Sequence, residues 1–392
     1  MTTTLDQSPR RRIQLSLLDR VSSVPWPLFI LVIILSSIGV AMQYSAGGLA
    51  WEPFAGVHVL RLGIFFGLAV IAGLIDIRVW YRLSYIVFFV TFLMLVAVPF
   101  IGEEFNNAKR WIDLRVMTLQ PSELVQIGLI MALARYFNTA SWEELGNPLD
   151  LIFPIAIAAL PTYLIMEQPD LGTALKLLAC LGMILFLAGL RWWLVMGGVG
   201  AVIGASYWFI DRCLTAGFET TGYQCKRVLV LFDSELDLSG AGYHIRQAKI
   251  AIGSGGVEGQ GFGQGQHNQL GFTPENNTDF VWSLLAEEFG FIGCMVVLFL
   301  FSLLLLYGVV TALRARSQFG RLLAATLTAN MFFYIVINIG MNMGLLPVVG
   351  MPLPFLSYGG SAMLATMGSV ALLTSIWIHA DVPVGEEGKT GQ

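Results

Sequence analysis

The chain has 392 residues, of which 56% are hydrophobic and only 12% are charged. Roughly a quarter of the residues in a typical soluble domain are charged. A water-soluble fold could not bury so much apolar surface, so the composition indicates an integral membrane protein. The formal net charge of −4 and the absence of any run of five or more basic residues give no sign of a nucleic-acid partner.

Apolar windows of about twenty residues predict transmembrane helices, since membrane barrels show shorter, alternating strands. Ten such windows occur in the sequence, at residues 26–43, 58–77, 83–102, 119–137, 151–166, 171–190, 192–210, 281–310, 322–346 and 361–380. The predicted fold is therefore an all-α polytopic membrane protein. Its membrane domain spans residues 26–380, with terminal tails at residues 1–25 and 381–392.

Arginines predict the orientation of these spans, because cytoplasmic loops carry an excess of Lys and Arg. They precede the first span and fall in alternate connections, at Arg10, Arg11, Arg12, Arg20, Arg78, Arg82, Arg135, Arg191, Arg314, Arg316 and Arg321. Both termini are then expected in the cytoplasm, and the large loop 211–280 outside.

Cations also occur in the two predicted outer loops, against this trend. They are Lys109, Arg110 and Arg115 in the first loop, and Arg212, Lys226, Arg227, Arg246 and Lys249 in the second. Long loops cross a membrane regardless of their charge, so these cations could be topologically neutral. Alternatively, they could contact an anionic ligand at the outer face.

The second half of the large loop, residues 242–272, is dense in glycine. It fits neither G-x-x-x-x-G-K-[ST] nor G-x-G-x-x-G, so it is not a nucleotide fingerprint. It could be a flexible linker, or a backbone that approaches a ligand closely. The stretch "GYHIRQAKIAI" has apolar residues at helical spacing and predicts a helix at the membrane surface. Cys213 and Cys225 lie in the same loop, and the sequence leaves open whether they form a disulfide.

Ionisable side chains within membrane spans are costly and often functional. Here they are Glu123, with Gln126 one turn later, then Lys176, Glu287 and Glu288. They could serve a substrate, or they could pair internally and hold the bundle together.

Five segments together resemble a known family: "RWIDLRVMTLQPSELVQ", "QPDLGTAL", "GYHIRQAKIAIGSGG", "PENNTDFVWSLLAEEFGFIG" and "MNMGLLPVVGMPLPFLSYGGSAML". In their order and residue patterns they are similar to signature blocks of the SEDS family, the shape, elongation, division and sporulation proteins. The third block resembles elongation-type members more than division-type members. The resemblance implies a ten-span enzyme of the bacterial cytoplasmic membrane that polymerises lipid II, the undecaprenyl-diphosphate disaccharide-pentapeptide, into glycan strands at the outer face.

The resemblance gives Asp279 the position of the family's essential aspartate, although Asn277 stands where a histidine is usual. Glu123 matches the acidic residue of the P-S-E motif, but Gln126 stands where the family often has a lysine. We expect Lys109 or Arg110 to supply the missing cation.

Further site residues follow from the same blocks. Asp170 matches the aspartate of the Q-P-D motif, and Ser357 and Ser361 match the serines of S-Y-G-G-S. Trp111 and Glu275 lie within the first and fourth matching blocks and are expected to contact substrate.

The chemistry of glycan polymerisation explains a single outer carboxylate. A sugar hydroxyl is a weak nucleophile and needs a positioned base, which we predict to be Asp279. A diphosphate leaving group needs positive charge rather than a proton, so the second carboxylate of a glycosidase is not required. We predict that Lys109, Arg110, Arg246 and Lys249 contact the diphosphate, with a divalent cation, Mg²⁺ or Mn²⁺, as a possible assistant.

Two other classes remain open at this point: a flippase for lipid-linked precursors, and a scaffold that only recruits a partner. The predicted site residues cluster at one face, whereas a flippase needs a polar path across the membrane. The resemblance also implies a partner, a class B penicillin-binding protein, which is a single-span transpeptidase that cross-links the glycan. Membrane lipid and lipid II complete the expected partners.

Overall fold

The computed structural model describes residues 17–105, 108–113, 117–139, 151–216, 222–233, 236–237, 240–270, 272 and 275–385. Arg115, most of the N-terminal tail and the end of the C-terminal tail lie outside the described residues. The helices are α1 (Leu17–Ser22), α2 (Trp26–Ala46), α3 (Gly56–Gly73), α4 (Ile77–Ile101), α5 (Pro121–Thr139), α6 (Ile152–Glu167), α7 (Leu171–Leu187), α8 (Trp192–Ala216), α9 (Tyr223–Phe232), α10 (Ala241–Ser254), α11 (Gln266–Gln269), α12 (Val281–Arg314), α13 (Gln318–Asn342) and α14 (Gly360–Ile378).

The helices confirm the predicted all-α membrane class. Each of the ten predicted windows coincides with one helix, from α2 to α8 and from α12 to α14. Within the described residues, seven helices are long and apolar enough to cross a membrane, while α6 and α7 are apolar but shorter. The span count of ten therefore stays a prediction. The largest boundary errors are six residues: α4 begins at Ile77 rather than at 83, where the Asp76 side chain caps its first turn, and α8 ends at Ala216 rather than at 210.

Helices α13 and α14 form the centre of the bundle, whereas α8 lies at its edge. Helix pairs approach closely where one side chain is small, as is usual in membranes. At Gly128 of α5, for example, an added Cβ would lie 2.9 Å from the Cα atom of Phe88 on α4. Close packing of this kind holds α5 against its neighbours.

The described parts of the two terminal tails lie at one end of the bundle. Arg20 of α1 donates a hydrogen bond to the Leu74 carbonyl at 3.2 Å. Arg316 pairs with Asp381 at 2.9 Å, and Asn138 donates to the Val384 carbonyl at 3.3 Å. The described parts of the two tails therefore lie on the same side, as the arginine pattern predicts.

The first predicted outer loop folds into a small antiparallel sheet of order β1-β2-β3, which the sequence did not predict. Its strands are β1 (Glu103–Phe105), β2 (Ala108–Asp113) and β3 (Thr118–Leu119). Ile112 of β2 pairs with Leu119 of β3, and both side chains are buried. This pairing fixes the orientation of β2, the strand that carries Lys109 and Arg110.

The glycine-dense segment is not a flexible linker where it meets α12; its close approach to a ligand stays a prediction. Helix α12 is interrupted at Gly290, where φ is +63°, and residues 255–261 dock into the break. Four backbone hydrogen bonds join the two: Gln260 N–H to Glu287 O at 2.9 Å, Gly261 N–H to Glu288 O at 3.0 Å, Phe291 N–H to Gly256 O at 3.0 Å and Ile292 N–H to Val257 O at 3.1 Å. The glycines are needed because backbone lies against backbone.

A disulfide joins Cys213 to Cys225, with their Cα atoms 5.3 Å apart. It ties the C-terminal end of α8 to the start of α9. The question that the sequence left open is thus answered by the structure.

Candidate active site

Asp279 lies two residues before α12, where two asparagines of α13 hold its backbone. Asn338 and Asn342 each donate from Nδ2 to the Asp279 carbonyl oxygen, at 2.9 and 3.0 Å. The carboxylate faces Gly350, where φ is +72° and an added Cβ would lie 3.4 Å from Oδ2. Glycine therefore leaves room beside the carboxylate.

The surroundings of Asp279 make its carboxylate a base suited to neutral pH. Its pKa is raised from 3.8 to about 7, chiefly because burial disfavours the charged form. The negative charges of Glu275 and Asp170 raise the pKa as well, while Arg227 and Arg110 lower it. A carboxylate with such a pKa is half ionised near pH 7 and can accept a proton from a hydroxyl.

Arg110 of β2 is fixed beside the Q-P-D segment that joins α6 to α7. Its Nε and one terminal nitrogen donate to the carbonyl oxygens of Gln168 and Pro169, both at 2.7 Å. Asp170 caps α7 by accepting from the Thr173 N–H at 3.1 Å. The structure therefore brings the predicted residues Arg110 and Asp170 together, close enough for both charges to act on Asp279.

The two predicted serines are engaged within the protein. Ser357 Oγ accepts from the Leu353 N–H at 2.7 Å. Ser361 Oγ accepts from the Gln120 N–H at 2.8 Å and donates to the Thr118 carbonyl at 3.1 Å. These bonds fold the S-Y-G-G-S segment, and a contact of either hydroxyl with substrate stays a prediction.

The remaining predicted cations lie in different places. Lys109 is exposed on β2, and Lys249 of α10 is exposed with its ammonium against Gly344. Arg246 is half-buried one turn earlier on α10. The charges that act on Asp279 are instead those of Arg110 and Arg227. The sequence placed Arg227 only among the cations of the large outer loop, and no motif singled it out.

The other two predicted substrate contacts, Trp111 and Glu275, lie on β2 and before α12. Trp111 is half-buried on β2 and pairs with Glu103 of β1. Glu275 holds the turn before α12, because its carbonyl oxygen accepts from the N–H groups of Thr278 and Phe280 at 3.2 and 3.1 Å. Its carboxylate also raises the pKa of Asp279.

The prediction that Lys109 or Arg110 supplies the cation for Glu123 was wrong. Glu123 pairs with Lys176 of α7, with Oε2 and Nζ 3.5 Å apart and both side chains buried. Arg110 is occupied by the Q-P-D carbonyls, and Lys109 is exposed. Sequence spacing could not find this pair, because its two members lie on different helices.

Glu287 and Glu288 also pair internally, the alternative that the sequence left open. Glu287 accepts from the His267 N–H at 2.8 Å, and its carboxylate lies 3.2 Å from His267 Nδ1. Glu288 accepts a hydrogen bond from the Ser45 hydroxyl. Both carboxylates thus anchor the glycine-dense segment and α2 at the break in α12.

Comparison with known proteins agrees with this architecture. The chain is 39% identical to the peptidoglycan glycosyltransferase MrdB of Escherichia coli K12 over 373 residues, 92% of this chain and 95% of MrdB. It is 34% identical to the probable peptidoglycan glycosyltransferase FtsW of Trichlorobacter lovleyi, over 91% of this chain and 94% of that protein. The stage V sporulation protein E of Bacillus subtilis is 32% identical, over 89% of this chain and 95% of its own length.

Two solved structures share the fold. The rod shape determining protein RodA of Thermus thermophilus superposes with a TM-score of 0.65 at 26% identity, covering 91% of this chain and 97% of RodA. A chain of a peptidoglycan synthase complex that coordinates polymerization and crosslinking gives a TM-score of 0.73 at 29% identity, with 90% and 97% covered. Residues 25–381 match the cell cycle protein family FtsW/RodA/SpoVE. The chain therefore belongs to this family, the SEDS proteins.

Proposed function

We propose that the chain is a peptidoglycan glycosyltransferase that polymerises lipid II into β-1,4-linked glycan strands for cell elongation. The observation that carries this function is Asp279, a buried carboxylate on which the charges of Arg110 and Arg227 act, at the end of the bundle opposite the termini; its pKa is raised to about 7. The family relationship and the identity to MrdB support the same activity.

In the proposed reaction, Asp279 removes the proton from the acceptor sugar hydroxyl as its oxygen attacks the anomeric carbon of the donor. The new C–O bond forms as the bond from that carbon to the lipid diphosphate breaks. Attack from the opposite face converts the α-linked donor into a β-linked product. The proton stays on Asp279 until it passes to water, and the diphosphate leaves with the bonding electrons.

Positive charge stabilises the leaving diphosphate. Arg110 is suited to this role because two carbonyl oxygens already fix its guanidinium, and Arg227 lies near enough to act on Asp279. The described residues contain no group of three or more His, Cys, Asp or Glu side chains that could hold a metal ion. We therefore propose that any Mg²⁺ or Mn²⁺ arrives bound to the diphosphate oxygens, as Mg²⁺ often does.

The lipid tail needs an apolar surface next to the diphosphate. An open groove of about 460 Å³ lies between α6, α8 and α9, lined by the apolar Met166, Pro169 and Phe209 and also by Glu167 and Gln224. Pro169 is also the residue whose carbonyl holds Arg110. This adjacency supports entry of the undecaprenyl chain from the membrane at this groove.

We also propose where the enzyme works and with what partner. The protein is an integral membrane protein. The arginine pattern supports the bacterial cytoplasmic membrane, with Asp279 facing outward. Its proposed partner is a class B penicillin-binding protein of the elongation machinery, supported by the similarity to a chain of a peptidoglycan synthase complex.

The proposed function is tested with purified protein in vesicles that carry fluorescent lipid II in one leaflet. We expect long glycan polymer that a muramidase digests, and more of it when the cognate transpeptidase is present. Movement of lipid II between leaflets without polymer would indicate a flippase. If neither polymer nor movement of lipid II is found, with or without the transpeptidase, the protein acts only as a scaffold.

A further inference from the structure

A buried polar cluster lies where α5, α7 and α13 meet. Its centre is Lys176 of α7, which is 0% exposed. The ammonium lies 3.5 Å from Glu123 Oε2 and 3.1 Å from the ring centroid of Tyr334 on α13. An ammonium inside a membrane bundle requires a carboxylate or an aromatic face, and Lys176 has both.

Gln126 completes this cluster from α5. It is 1% exposed, and its amide nitrogen lies 3.7 Å from the sulfur of Cys180 on α7. Cys180 follows Lys176 by four residues, so Gln126 and Lys176 occupy the same contact between the two helices. Residue 126 also follows Glu123 by three, a spacing at which side chains of one helix meet. A lysine at either position could therefore reach the Glu123 carboxylate.

Hydrogen bonds connect the helices of the Lys176–Glu123 pair to the candidate active site. Gln120, just before α5, donates from Nε2 to the Asp170 carboxylate at 3.1 Å, and Asp170 caps α7. The segment before Asp170 supplies both carbonyl oxygens that hold Arg110. Any shift between α5 and α7 would thus move Arg110 relative to Asp279.

We infer that Lys176 is a positioning residue: its ion pair with Glu123 locks α7 to α5 and thereby aligns Arg110 with Asp279. We infer further that the cation can be supplied from either helix, so that a lysine at position 126 can replace Lys176. This inference rests on the proposed function for its kinetic consequence, because Arg110 is there assigned to the diphosphate.

Three variants test the inference: Lys176→Leu, Lys176→Leu with Gln126→Lys, and Lys176→Leu with Gln126→Met. The third is the matched control, since it changes residue 126 to an unbranched side chain without adding charge. Each is measured per amount of monodisperse protein for polymer formation from lipid II, for KM and for melting temperature.

We expect Lys176→Leu to lower polymer formation by about tenfold to a hundredfold, with a raised KM for lipid II. The Gln126→Lys change should restore activity, KM and melting temperature, and Gln126→Met should restore none of them. A purely structural role for Lys176 would reduce the yield of folded protein but leave the KM of the folded fraction unchanged.

Two results would overturn the inference. One is near-parental KM and activity in Lys176→Leu, and the other is a Gln126→Lys double variant that recovers no more folding or activity than the Gln126→Met control. Failure of the parent protein to make polymer would instead refute the proposed function. The melting temperatures of the three variants would still decide whether the two lysine positions are interchangeable.

Discussion

Asn338 donates a hydrogen bond from Nδ2 to the Asp279 carbonyl oxygen at 2.9 Å, and the same nitrogen donates to the Met351 carbonyl at 2.6 Å. One buried amide thus links α13 to Asp279, two residues before α12, and to the loop that faces the carboxylate. The candidate base is held through its backbone, which leaves its side chain free to accept a proton.

Asn338→Leu should therefore lower both stability and activity. The Met351 carbonyl would be left unpaired in the interior, which costs about 1–3 kcal/mol, and the Asp279 carbonyl would keep only its hydrogen bond from Asn342. We expect a lower melting temperature and reduced polymer formation per folded protein. Val336→Leu, on the same helix at a position 43% exposed, is the control and should match the parent. Equal melting curves for both variants would contradict the anchoring role of Asn338.

Asp279→Asn should abolish polymer formation without loss of stability. Asparagine keeps the shape but has no useful basicity. Because the pKa of Asp279 is raised to about 7 in the folded protein, folding favours the protonated form. This group therefore lowers stability as the pH rises from its ordinary pKa of 3.8 to about 7, and the penalty persists above pH 7.

The asparagine variant lacks that penalty, so its melting temperature at pH 8 should equal or exceed that of the parent. Loss of an unfavourable charge at an active site commonly trades activity for stability. Near-normal polymer yield in this variant would end the assignment of Asp279 as the base. A marked drop in melting temperature would show that the ionised carboxylate stabilises the fold.

The rate of polymerisation should rise with pH through the pKa of Asp279, about 7. Since only the ionised carboxylate is a base, the rate should increase about tenfold between pH 6 and pH 8. Glu275→Gln removes a charge that raises this pKa, so the rise should move to lower pH. Glu258→Gln, an exposed carboxylate of the same outer loop, is the control and should leave the profile in place.

Features that depend on contiguous residues could be predicted from the sequence, whereas contacts between helices could not. Apolar windows predicted the helices because the bilayer requires continuous apolar surface and internal backbone pairing. Asp279 was identified from a contiguous motif, and its neighbour Asp170 likewise. The pairing of Glu123 with Lys176 was missed because no spacing rule relates residues on different helices.

The glycine-dense segment was misjudged for a related reason. Its composition indicates only that the backbone approaches something closely. Its contact is the broken backbone of α12 at Gly290, which lies beyond the loop in the sequence. The helical pattern across Gly290 is uninterrupted in hydrophobicity, so the break had no signal of its own.

The bridge between Cys213 and Cys225 should stabilise the outer loop. Closing a loop of this length stabilises a fold by about 3 kcal/mol in the chain-entropy account. In the double Cys→Ser variant we expect a lower melting temperature and a raised KM for lipid II, because α9 carries Arg227. Mass spectrometry of unreduced protein, with free thiols alkylated first, should find both cysteines unmodified. Complete alkylation of both would rule out the bridge.

Two glycines near the end of α10 offer a matched pair of substitutions. At Gly255, an added Cβ would collide with the Ala286 carbonyl oxygen on α12, so Gly255→Ala should push the loop out of the helix break. We expect a lower melting temperature and loss of polymer formation, since Asp279 lies two residues before the start of α12.

Gly253→Ala, two residues earlier, is the control, because an added Cβ there meets no atom within 4 Å. Alanine is favoured over glycine in a helix by up to about 1 kcal/mol, so this variant should be neutral or slightly stabilised. Both variants are compared by thermal melting and by polymer formation from lipid II. If Gly255→Ala behaves like Gly253→Ala in both measurements, the loop does not depend on close docking into α12.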